Sequence, residues 1–406
     1  MKFYHKIFAV IFIVALLGFA IINFSMKFHS MKMDFSEVEI SSENVDVKLY
    51  TSEIDRVVSD NLLFEREWNE VYAMVYNALG KNEENCFKYV RDKNGILYES
   101  SVSNESSVPI REFVKRINVI RKKVKNTDTK VVVLLYPCRY NDEWTNGYKG
   151  IPYKKYNALV DDMTAYFRYY SVDYIDYREY FIKNEWKATD IFYKTDQHWT
   201  TLAAFAGYGQ LVQHLNENYD ANLNTYYTNI DNYNLETYEK YFIGDYGRDA
   251  GVAYVGLDDF TLVSPKYETN YTIKFTDDEG VWEEQSGDVY KTLIDLSYFE
   301  EEDYYNKDMY STYLNAINEQ ATVINNGNND GLKVLFISDS YTSPLGVFFA
   351  PHCSQMDFMW SENNSAETME AAIESEKYDY IFIGLTIDSY VNGGFEIYVD
   401  EVLTNE

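Results

Sequence analysis

The feature that most constrains this chain is a nearly unbroken apolar run close to its N-terminus. Residues 7–24 read IFAVIFIVALLGFAIINF, and only Asn23 interrupts them. As a helix rising 1.5 Å per residue, the run spans roughly 27 Å, which is close to the hydrocarbon thickness of a bilayer. Lys2 and Lys6 precede the run, so the positive-inside rule predicts a cytoplasmic N-terminus and an extracytoplasmic chain after Ser25.

A cleaved signal peptide is the competing interpretation of the same run. The run is longer than the apolar part of a typical signal peptide, and residues 23–28 lack the small-x-small pattern of a cleavage site. We therefore favour an uncleaved membrane anchor, and both interpretations place the remaining chain outside the cytoplasm. The predicted parts are a cytoplasmic segment (1–6), an anchor (7–24), a polar stalk followed by a helix (25–79) and one large domain (80–406).

Composition excludes several partners for that large domain. The net charge is −29, whereas binding to nucleic acid needs clustered Lys and Arg, and an anionic lipid surface would repel the domain. The chain has 40 Tyr residues, and the ring of Tyr is suited to stacking on sugar rings. The alternative interpretation is a compositional bias spread over the surface. Cys86, Cys138 and Cys353 form neither a zinc pattern nor a disulfide framework, and a Cys86–Cys138 bridge is left open.

Helix and strand patterns alternate along most of the large domain. Short apolar runs rich in β-branched residues predict buried strands, and amphipathic segments between them predict helices. The predicted strands are 131–136, 172–177, 333–337 and 378–383, and the predicted helices include 156–169, 202–215 and 366–375. This alternation predicts an α/β fold with a mostly parallel sheet and helices on both faces.

The pattern changes between about residues 226 and 330. Segments 260–263, 271–275 and 290–296 alternate like half-exposed antiparallel strands, and residues 325–331 (NNGNNDG) predict a loop. We expect a β-rich insertion packed beside the main sheet.

One of the five histidines lies in a pattern suited to general-base chemistry. Asp196 precedes His198 by two residues in TDQHWT (195–200), just before a predicted helix. An Asp in this place can accept a hydrogen bond from the imidazole Nδ1–H, which leaves Nε2 as a general base. The alternative is that Asp196 or Thr195 only caps the following helix. His352 and Cys353 are also adjacent, and they predict a buried structural pair rather than a thiol site.

A candidate nucleophile follows one of the predicted buried strands. In KVLFISDSYTSPL (333–345), the strand leads into Ser338 and Ser340 ahead of a predicted helix. A serine at such a turn projects from the carboxyl edge of a parallel sheet, beside backbone N–H groups that can stabilise an oxyanion. Ser338 is a rival that would belong to the strand end, and capping is the commoner use of such serines. Together with the Asp-His pair, Ser340 completes the nucleophile, base and orienting group of serine acyl transfer.

These motifs resemble a known family. The segment 196–199 (DQHW) resembles the Asp-x-His-Trp signature of the alginate O-acetyltransferase-like and DHHW proteins. The segment 337–341 (ISDSY) resembles their Gly-Asp-Ser-[Tyr/Phe] nucleophile block, and 242–246 (FIGDY) is similar to their Phe-x-Gly element. The resemblance covers roughly residues 80–395 and implies a three-layer, flavodoxin-like domain of the SGNH-hydrolase type with a permuted strand order.

The sequence departs from the family pattern at three places. Ser338 stands where the family usually has Gly, and Gln197 stands where DHHW proteins have His. The strand end 384–388 (GLTID) lacks the Asn that supplies an oxyanion donor in standard SGNH enzymes. Besides the backbone N–H of Ser340, the candidate oxyanion or substrate-edge residues are Tyr341, Arg139 and Thr386.

The resemblance implies an O-acetyltransferase that acts through an acyl-serine intermediate on a cell-surface or secreted polysaccharide. It also implies a polytopic membrane O-acyltransferase as the acyl supplier. An esterase or deacetylase with the same triad is one alternative, because water and a sugar hydroxyl can resolve the same acyl-serine. A catalytically inactive, glycan-binding surface protein is the other. No metal cluster or Gly-rich phosphate loop stands out in the sequence, so no cofactor is expected.

Overall fold

A computed structural model gives the structure of the chain. It describes residues 2–37, 54, 57–58, 61–84, 86–102, 109–125, 127–277, 280–314, 320–375 and 377–391. Most of the predicted polar stalk, residues 38–53, lies outside the described residues. The chain divides into two compact units, Met1–Leu79 and Gly80–Glu406, and each is described by itself.

The first unit contains the predicted anchor. Helix α1 (Lys2–Glu37) includes the stretch Tyr4–Asp34, which is long and apolar enough to cross a membrane by its length and composition. A second helix, α2, follows at Glu65–Ala78. An apolar helix of this length near the N-terminus is typical of a membrane anchor or a signal segment.

Asn23, the polar residue that interrupts the apolar run, is buried in this unit. Its side-chain amide donates to the carbonyl of Asn61 at 3.3 Å, and its side-chain oxygen accepts from the backbone N–H of Leu63 at 2.6 Å. Both ends of the amide are therefore satisfied by the segment that leads into α2, which offsets the cost of burying a polar group.

The second unit is built on β-strands. Its strands are β1 (Glu83–Glu84), β2 (Tyr89–Arg91), β3 (Leu97–Glu99), β4 (Lys130–Leu135), β5 (Asp173–Asp176), β6 (Tyr233–Phe242), β7 (Asp258–Pro265), β8 (Tyr271–Asp277), β9 (Gly280–Gly287), β10 (Gln320–Asn325), β11 (Leu332–Ser338), β12 (Cys353–Trp360) and β13 (Tyr380–Leu385). Eight of them form one sheet in the order β5-β4-β13-β11-β12-β10-β8-β9. The first five strands in that order run parallel to one another. Strand β10 pairs antiparallel with β12, and the pairs β10–β8 and β8–β9 are antiparallel as well.

Helices surround this sheet. They are α3 (Ile110–Lys123), α4 (Asn157–Tyr169), α5 (Tyr177–Lys183), α6 (Ala188–Ile191), α7 (Thr201–Tyr219), α8 (Asp245–Ala250), α9 (Val252–Val255), α10 (Val289–Thr292), α11 (Thr342–Phe349), α12 (Ala366–Ser375) and α13 (Ile387–Val391). Within this layer α3 packs against α4, and α7 packs against α11. Every residue of β13 and nearly every residue of β4 is buried, so the sheet is covered on both faces. The predicted α/β domain with a mostly parallel sheet is therefore confirmed, and antiparallel strands extend the sheet on one side.

The insertion is organised differently from the prediction. It does not lie beside the sheet, because β8, β9 and β10 extend the sheet itself at one edge. Among the described residues of the insertion, β6 and β7 form an antiparallel pair apart from this sheet. The strand predicted at 290–296 is wrong, since Asp288 caps α10 there by accepting hydrogen bonds from the N–H groups of Tyr290 and Lys291.

Candidate active site

Ser340 lies where β11 turns into α11. Ser338 is the last residue of β11 and is buried, so it belongs to the strand end as predicted. Ser340 is half-buried, in the turn at the carboxyl edge of the sheet. In open α/β sheets this edge is where ligands bind.

Asp339 fixes that turn. One of its carboxylate oxygens accepts from the N–H of Tyr341 at 3.1 Å, and the other accepts from the N–H of Thr386 at 2.7 Å and the hydroxyl of Ser389 at 2.9 Å. Burial raises the pKa of Asp339, and these hydrogen bonds partly oppose the rise. Because Asp339 accepts from the turn, the capping alternative does not account for Ser340, whose hydroxyl is left for another partner.

That partner is His198. The hydroxyl of Ser340 donates to His198 Nε2 at 2.7 Å, and His198 Nδ1–H donates to Asp196 Oδ1 at 2.6 Å. The backbone N–H of His198 donates to the same Asp196 oxygen at 2.9 Å. A continuous line of hydrogen bonds thus joins a carboxylate, an imidazole and a hydroxyl in the order that general-base activation of a serine requires.

The helix-capping alternative for the Asp-His loop is wrong. Helix α7 is capped by Thr200, whose side chain accepts from the N–H of Ala203 at 3.2 Å. Thr195 instead donates its hydroxyl and its backbone N–H to Asp258, at 2.6 and 2.7 Å. Asp196 is therefore released from capping and can orient the imidazole.

Asp196 is buried, but the groups around it favour its charged form. Burial by itself would raise the pKa of Asp196, yet His198 and the Arg139 guanidinium outweigh that effect and hold the pKa below its usual value. Arg139 donates to the backbone carbonyl of Asp196 and also to the carbonyl of Leu97 at 2.7 Å. Asp196 is thus a carboxylate at neutral pH, which fixes the tautomer of His198.

The Phe-x-Gly element packs directly against this pair. The N–H of Gly244 donates to the hydroxyl of Thr195 at 2.8 Å. A Cβ atom on Gly244 would lie 2.2 Å from Asp196 Cβ and 2.5 Å from its Oδ2. Only a glycine allows this approach, so the element serves to seat the Asp-His loop.

Trp199 connects the histidine loop to the serine turn. Its ring is fully buried, and Nε1–H donates to the carbonyl of Tyr341 at 3.2 Å and to the hydroxyl of Tyr310 at 3.1 Å. The hydroxyl of Tyr341 donates in return to the carbonyl of Gln197. These bonds hold the two segments at a fixed distance from each other, although the segments lie more than 140 residues apart in the chain.

Tyr310 is a site residue that the sequence did not reveal. Its ring stacks on the imidazole of His198 with centroids 3.6 Å apart and an interplanar angle of 10°. It comes from the insertion and belongs to no motif, so nothing distinguished it from the other tyrosines. An aromatic ring stacked on an imidazole restricts its orientation.

Replacing Tyr310 should separate stacking from hydrogen bonding. We expect Tyr310→Phe to keep the stack and most of the ester turnover, and Tyr310→Leu to lower kcat about tenfold, which corresponds to about 1.4 kcal/mol of cation–π and packing interaction. Steady-state kinetics of the two variants with an acetyl ester check this. Equal loss in both variants would show that the hydroxyl, rather than the ring face, is what matters.

The three further candidates, Tyr341, Arg139 and Thr386, each hydrogen-bond to other residues of the site. The N–H groups of Tyr341 and Thr386 are both committed to Asp339, and buried Arg139 is committed to backbone carbonyls. Their role as oxyanion donors or as a substrate edge stays a prediction. The backbone N–H of Ser340 donates to no acceptor within the described part of the chain, and its oxyanion role stays a prediction.

His352 and Cys353 do not bond to each other. His352 Nε2 pairs with the hydroxyl of Tyr208 at 2.7 Å, and Cys353 Sγ lies 3.8 Å from the carbonyl of Phe349. Both are buried, in keeping with a structural pair. Cys86 and Cys138 are unpaired thiols, so the bridge that the sequence left open is not formed.

The buried imidazole of His352 predicts a pH-dependent stability. Burial lowers its pKa from 6.5 to about 4, so the unfolded chain binds this proton more readily than the folded one between those values. The free energy of unfolding should therefore fall as the pH drops from 6.5 toward 4, by roughly 3 kcal/mol from this group. Urea denaturation of the wild type and His352→Gln at pH 7 and pH 4.5 checks it: the variant should lose less stability than the wild type. An equal loss in both would contradict the assignment.

Part of the chain matches a known protein family. Residues 93–242 match a family model described as an SGNH hydrolase-like domain of the acetyltransferase AlgX. That match includes the Asp-His loop and ends at Phe242, so it does not reach Ser340. A search of curated proteins found no significant match.

Solved structures extend the likeness to most of the chain. A DHHW family protein from Eubacterium siraeum superimposes with a TM-score of 0.54 at 16% identity, over 75% of this chain and 94% of that chain. PatB1 from Bacillus cereus superimposes with a TM-score of 0.57 at 15% identity, over 76% of this chain and 99% of that chain. A second PatB1 structure, with a sulfonyl adduct, gives 0.56 at 14% identity, over 77% and 100%. The resemblance to these families and the SGNH-type fold are thus confirmed.

Proposed function

We propose that this chain is a serine-dependent O-acetyltransferase that modifies a polysaccharide outside the cytoplasm. The observation that carries the proposal is the line of hydrogen bonds from Asp196 through His198 to Ser340. The match to an acetyltransferase family over residues 93–242 supports the class of reaction.

The first half of the reaction forms an acyl-serine. Ser340 Oγ attacks the carbonyl carbon of the acyl donor while its proton passes to His198 Nε2. The Asp196 carboxylate stabilises the imidazolium that results. When the tetrahedral intermediate collapses, the bond to the donor oxygen breaks, and His198 returns its proton to that leaving oxygen. The backbone N–H of Ser340 is the proposed donor to the negative oxygen of the intermediate.

The second half delivers the acyl group to a sugar. A sugar hydroxyl attacks the acyl carbon and gives its proton to His198 Nε2. Collapse then releases the acetylated sugar, and Ser340 Oγ regains the proton. Water in place of the sugar hydroxyl gives hydrolysis with the same residues, so exclusion of water from the acyl-serine decides between transferase and esterase.

The anchor supports an extracytoplasmic site for this reaction. We infer from the positive-inside rule that Lys2 and Lys6 lie on the cytoplasmic side, and the domain 80–406 then lies on the outer face of the membrane. Acyl donors made in the cytoplasm must then be brought across the bilayer. A polytopic membrane O-acyltransferase is the proposed supplier, and the acceptor is a polysaccharide at the cell surface.

The test measures what becomes of the acyl group. The full-length chain in detergent is incubated with 4-nitrophenyl acetate, with and without a mixture of neutral and acidic oligosaccharides, and both acetate and acetylated sugar are quantified. We expect acetylated sugar to form at the expense of free acetate. Ser340→Ala should form neither product beyond the background of the ester alone.

The other outcomes are equally informative. If free acetate is the sole product and its rate of formation is unchanged by sugars, the protein is an esterase and not a transferase. No turnover by the wild type would contradict an enzymatic function and favour a glycan-binding protein. Because one PatB1 structure has a sulfonyl adduct, we also expect a sulfonyl fluoride to modify this chain.

A further inference from the structure

A cavity lies far from the candidate active site, at the end of the sheet where strands β11 and β12 begin. It encloses about 690 Å³ and is lined by residues at the beginnings of β8, β11 and β12. Ser340 follows the other end of β11, so roughly 20 Å of strand separates the two places. The volume lies within the range of small-molecule binding sites.

Tyrosine side chains form one wall of this cavity. The rings of Tyr227 and Tyr267 lie 5.0 Å apart, and Tyr227 meets the imidazole of His352 edge to face at 5.4 Å. The hydroxyl of Tyr233 donates to the carbonyl of Tyr227 at 2.8 Å and lies 2.8 Å from the hydroxyl of Tyr267. Both rings line the cavity, are half-buried and pack against neighbouring rings, so a ligand that contacts them loses little of their conformational entropy.

Asparagine side chains form the rim, each held at one end of its amide. Asn224 uses its oxygen to accept from the N–H of Tyr226 at 2.9 Å. Asn222 and Asn328 use their NH₂ groups to donate to the carbonyls of Asp220 and Pro351, at 2.6 and 3.0 Å. These backbone partners fix which way each amide points.

The other end of each of these amides has no hydrogen-bond partner among the described residues. Asn224 presents an NH₂ group, and Asn222 and Asn328 present oxygens. The rim therefore offers both donors and acceptors in fixed positions, which is what adjacent hydroxyl groups on a ligand require.

The charge of the lining disfavours anions. No Lys or Arg is among the described residues that line the cavity, whereas Glu268 and Asp330 are. Burial lowers the pKa of His352 to about 4, so the imidazole on the floor is uncharged at neutral pH. A neutral ligand with many hydroxyl groups fits this surface best.

We propose that this tyrosine–asparagine pocket, formed around Tyr227, Tyr267, Asn222, Asn224 and Asn328, binds a neutral saccharide unit. The tyrosine faces cover the apolar side of the sugar ring, and the asparagine amides bond to its hydroxyls. The pocket is separate from the triad, and saccharide binding there does not require acyl transfer. A polymer held at this pocket would be kept close to the catalytic domain while another part of it meets Ser340.

Binding is tested on the full-length chain, in a detergent without a sugar head group. The probes are maltohexaose, cellohexaose, mannohexaose and chitohexaose, with hexagalacturonate as the charged comparison, and affinities are measured by titration calorimetry. The test variant is Asn222→Gly combined with Asn328→Ala. Glycine at position 222 avoids strain, because Asn222 has a φ of 53°. The matched control is Asn184→Ala, an exposed asparagine that also donates to one backbone carbonyl.

We expect at least one neutral hexasaccharide to bind, with an affinity at least tenfold weaker in the double variant and unchanged in Asn184→Ala. Ser340→Ala should bind as the wild type does, so loss of catalysis and loss of binding are distinguished. Absence of binding by every neutral probe would overturn the proposal. So would equal affinity in the double variant, or tighter binding of hexagalacturonate. Melting temperatures measured alongside ensure that a folded variant is being compared.

Discussion

His198→Ala is expected to lower the ester turnover of this chain by about four to six orders of magnitude, the range found when a residue of a serine triad is removed. Without the imidazole, the proton of Ser340 has no acceptor, because His198 Nε2 is the partner of that hydroxyl at 2.7 Å. The substitution removes the base and leaves Asp339 and its hold on the serine turn unchanged. Initial rates with 4-nitrophenyl acetate, corrected for the enzyme-free reaction, measure the loss.

The triad should also behave as one unit. Ser340→Ala should match His198→Ala, and the double variant should be no slower than either single one, because each removes the same step. Independent, additive losses would contradict a shared mechanism. Near wild-type rates in His198→Ala, at an unchanged melting temperature, would show that another group activates the serine.

Gly244→Ala is expected to damage both stability and activity. A Cβ atom at this position would lie 2.2 Å from Asp196 Cβ, so either the Asp-His loop or the Phe-x-Gly element must move. Overpacking of this kind costs about 1–3 kcal/mol of unfolding free energy. Because the displaced residue orients the imidazole, we also expect kcat to fall by about a hundredfold, as small misplacements of catalytic groups do.

Gly209→Ala provides the matched control. Gly209 lies in α7, and a Cβ atom there would meet nothing within 4 Å. Alanine should therefore leave turnover unchanged and raise the unfolding free energy by up to about 1 kcal/mol through helix propensity. If Gly244→Ala were as harmless as this control in thermal melts and kinetics, the close approach to Asp196 would have no functional consequence.

The central strands and the triad geometry were predictable because their signals are local. The runs 131–136 and 378–383 are short and mostly apolar, and they overlap β4 and β13, which lie side by side in the parallel part of the sheet. The Asp-x-His and strand-end serine motifs each fix a small piece of geometry. The sheet brings the two pieces together, because both lie beside its carboxyl edge.

The edge of the sheet was harder to predict, since the relevant patterns are weak. Strand β12 alternates in Met356, Phe358 and Trp360, but this short pattern closely follows the apolar helix α11 and is weak by comparison. In the insertion, residues 290–296 alternate like a strand, but the Asp288 cap turns them into a helix. Local hydrogen bonding therefore determines the secondary structure of that segment, although its hydrophobic pattern is that of a strand.

Tyr310 could not have been found from the sequence. Its contact with His198 joins residues more than 100 positions apart, and no motif surrounds it. The positional roles of Arg139 and Thr386 were hidden for the same reason: their partners are backbone groups of distant segments. Such contacts follow from tertiary packing, and no periodic pattern in the sequence indicates them.

Covalent labelling tests the activated serine most directly. The full-length chain is treated with phenylmethylsulfonyl fluoride, and the modified residue is located by peptide mass spectrometry in the wild type and in His198→Ala. We predict a single sulfonyl group on Ser340 in the wild type, with labelling slowed by at least a hundredfold in His198→Ala. Labelling of Ser338 instead, or labelling of Ser340 at the same rate without the imidazole, would contradict the assignment of Ser340 as a nucleophile activated by His198.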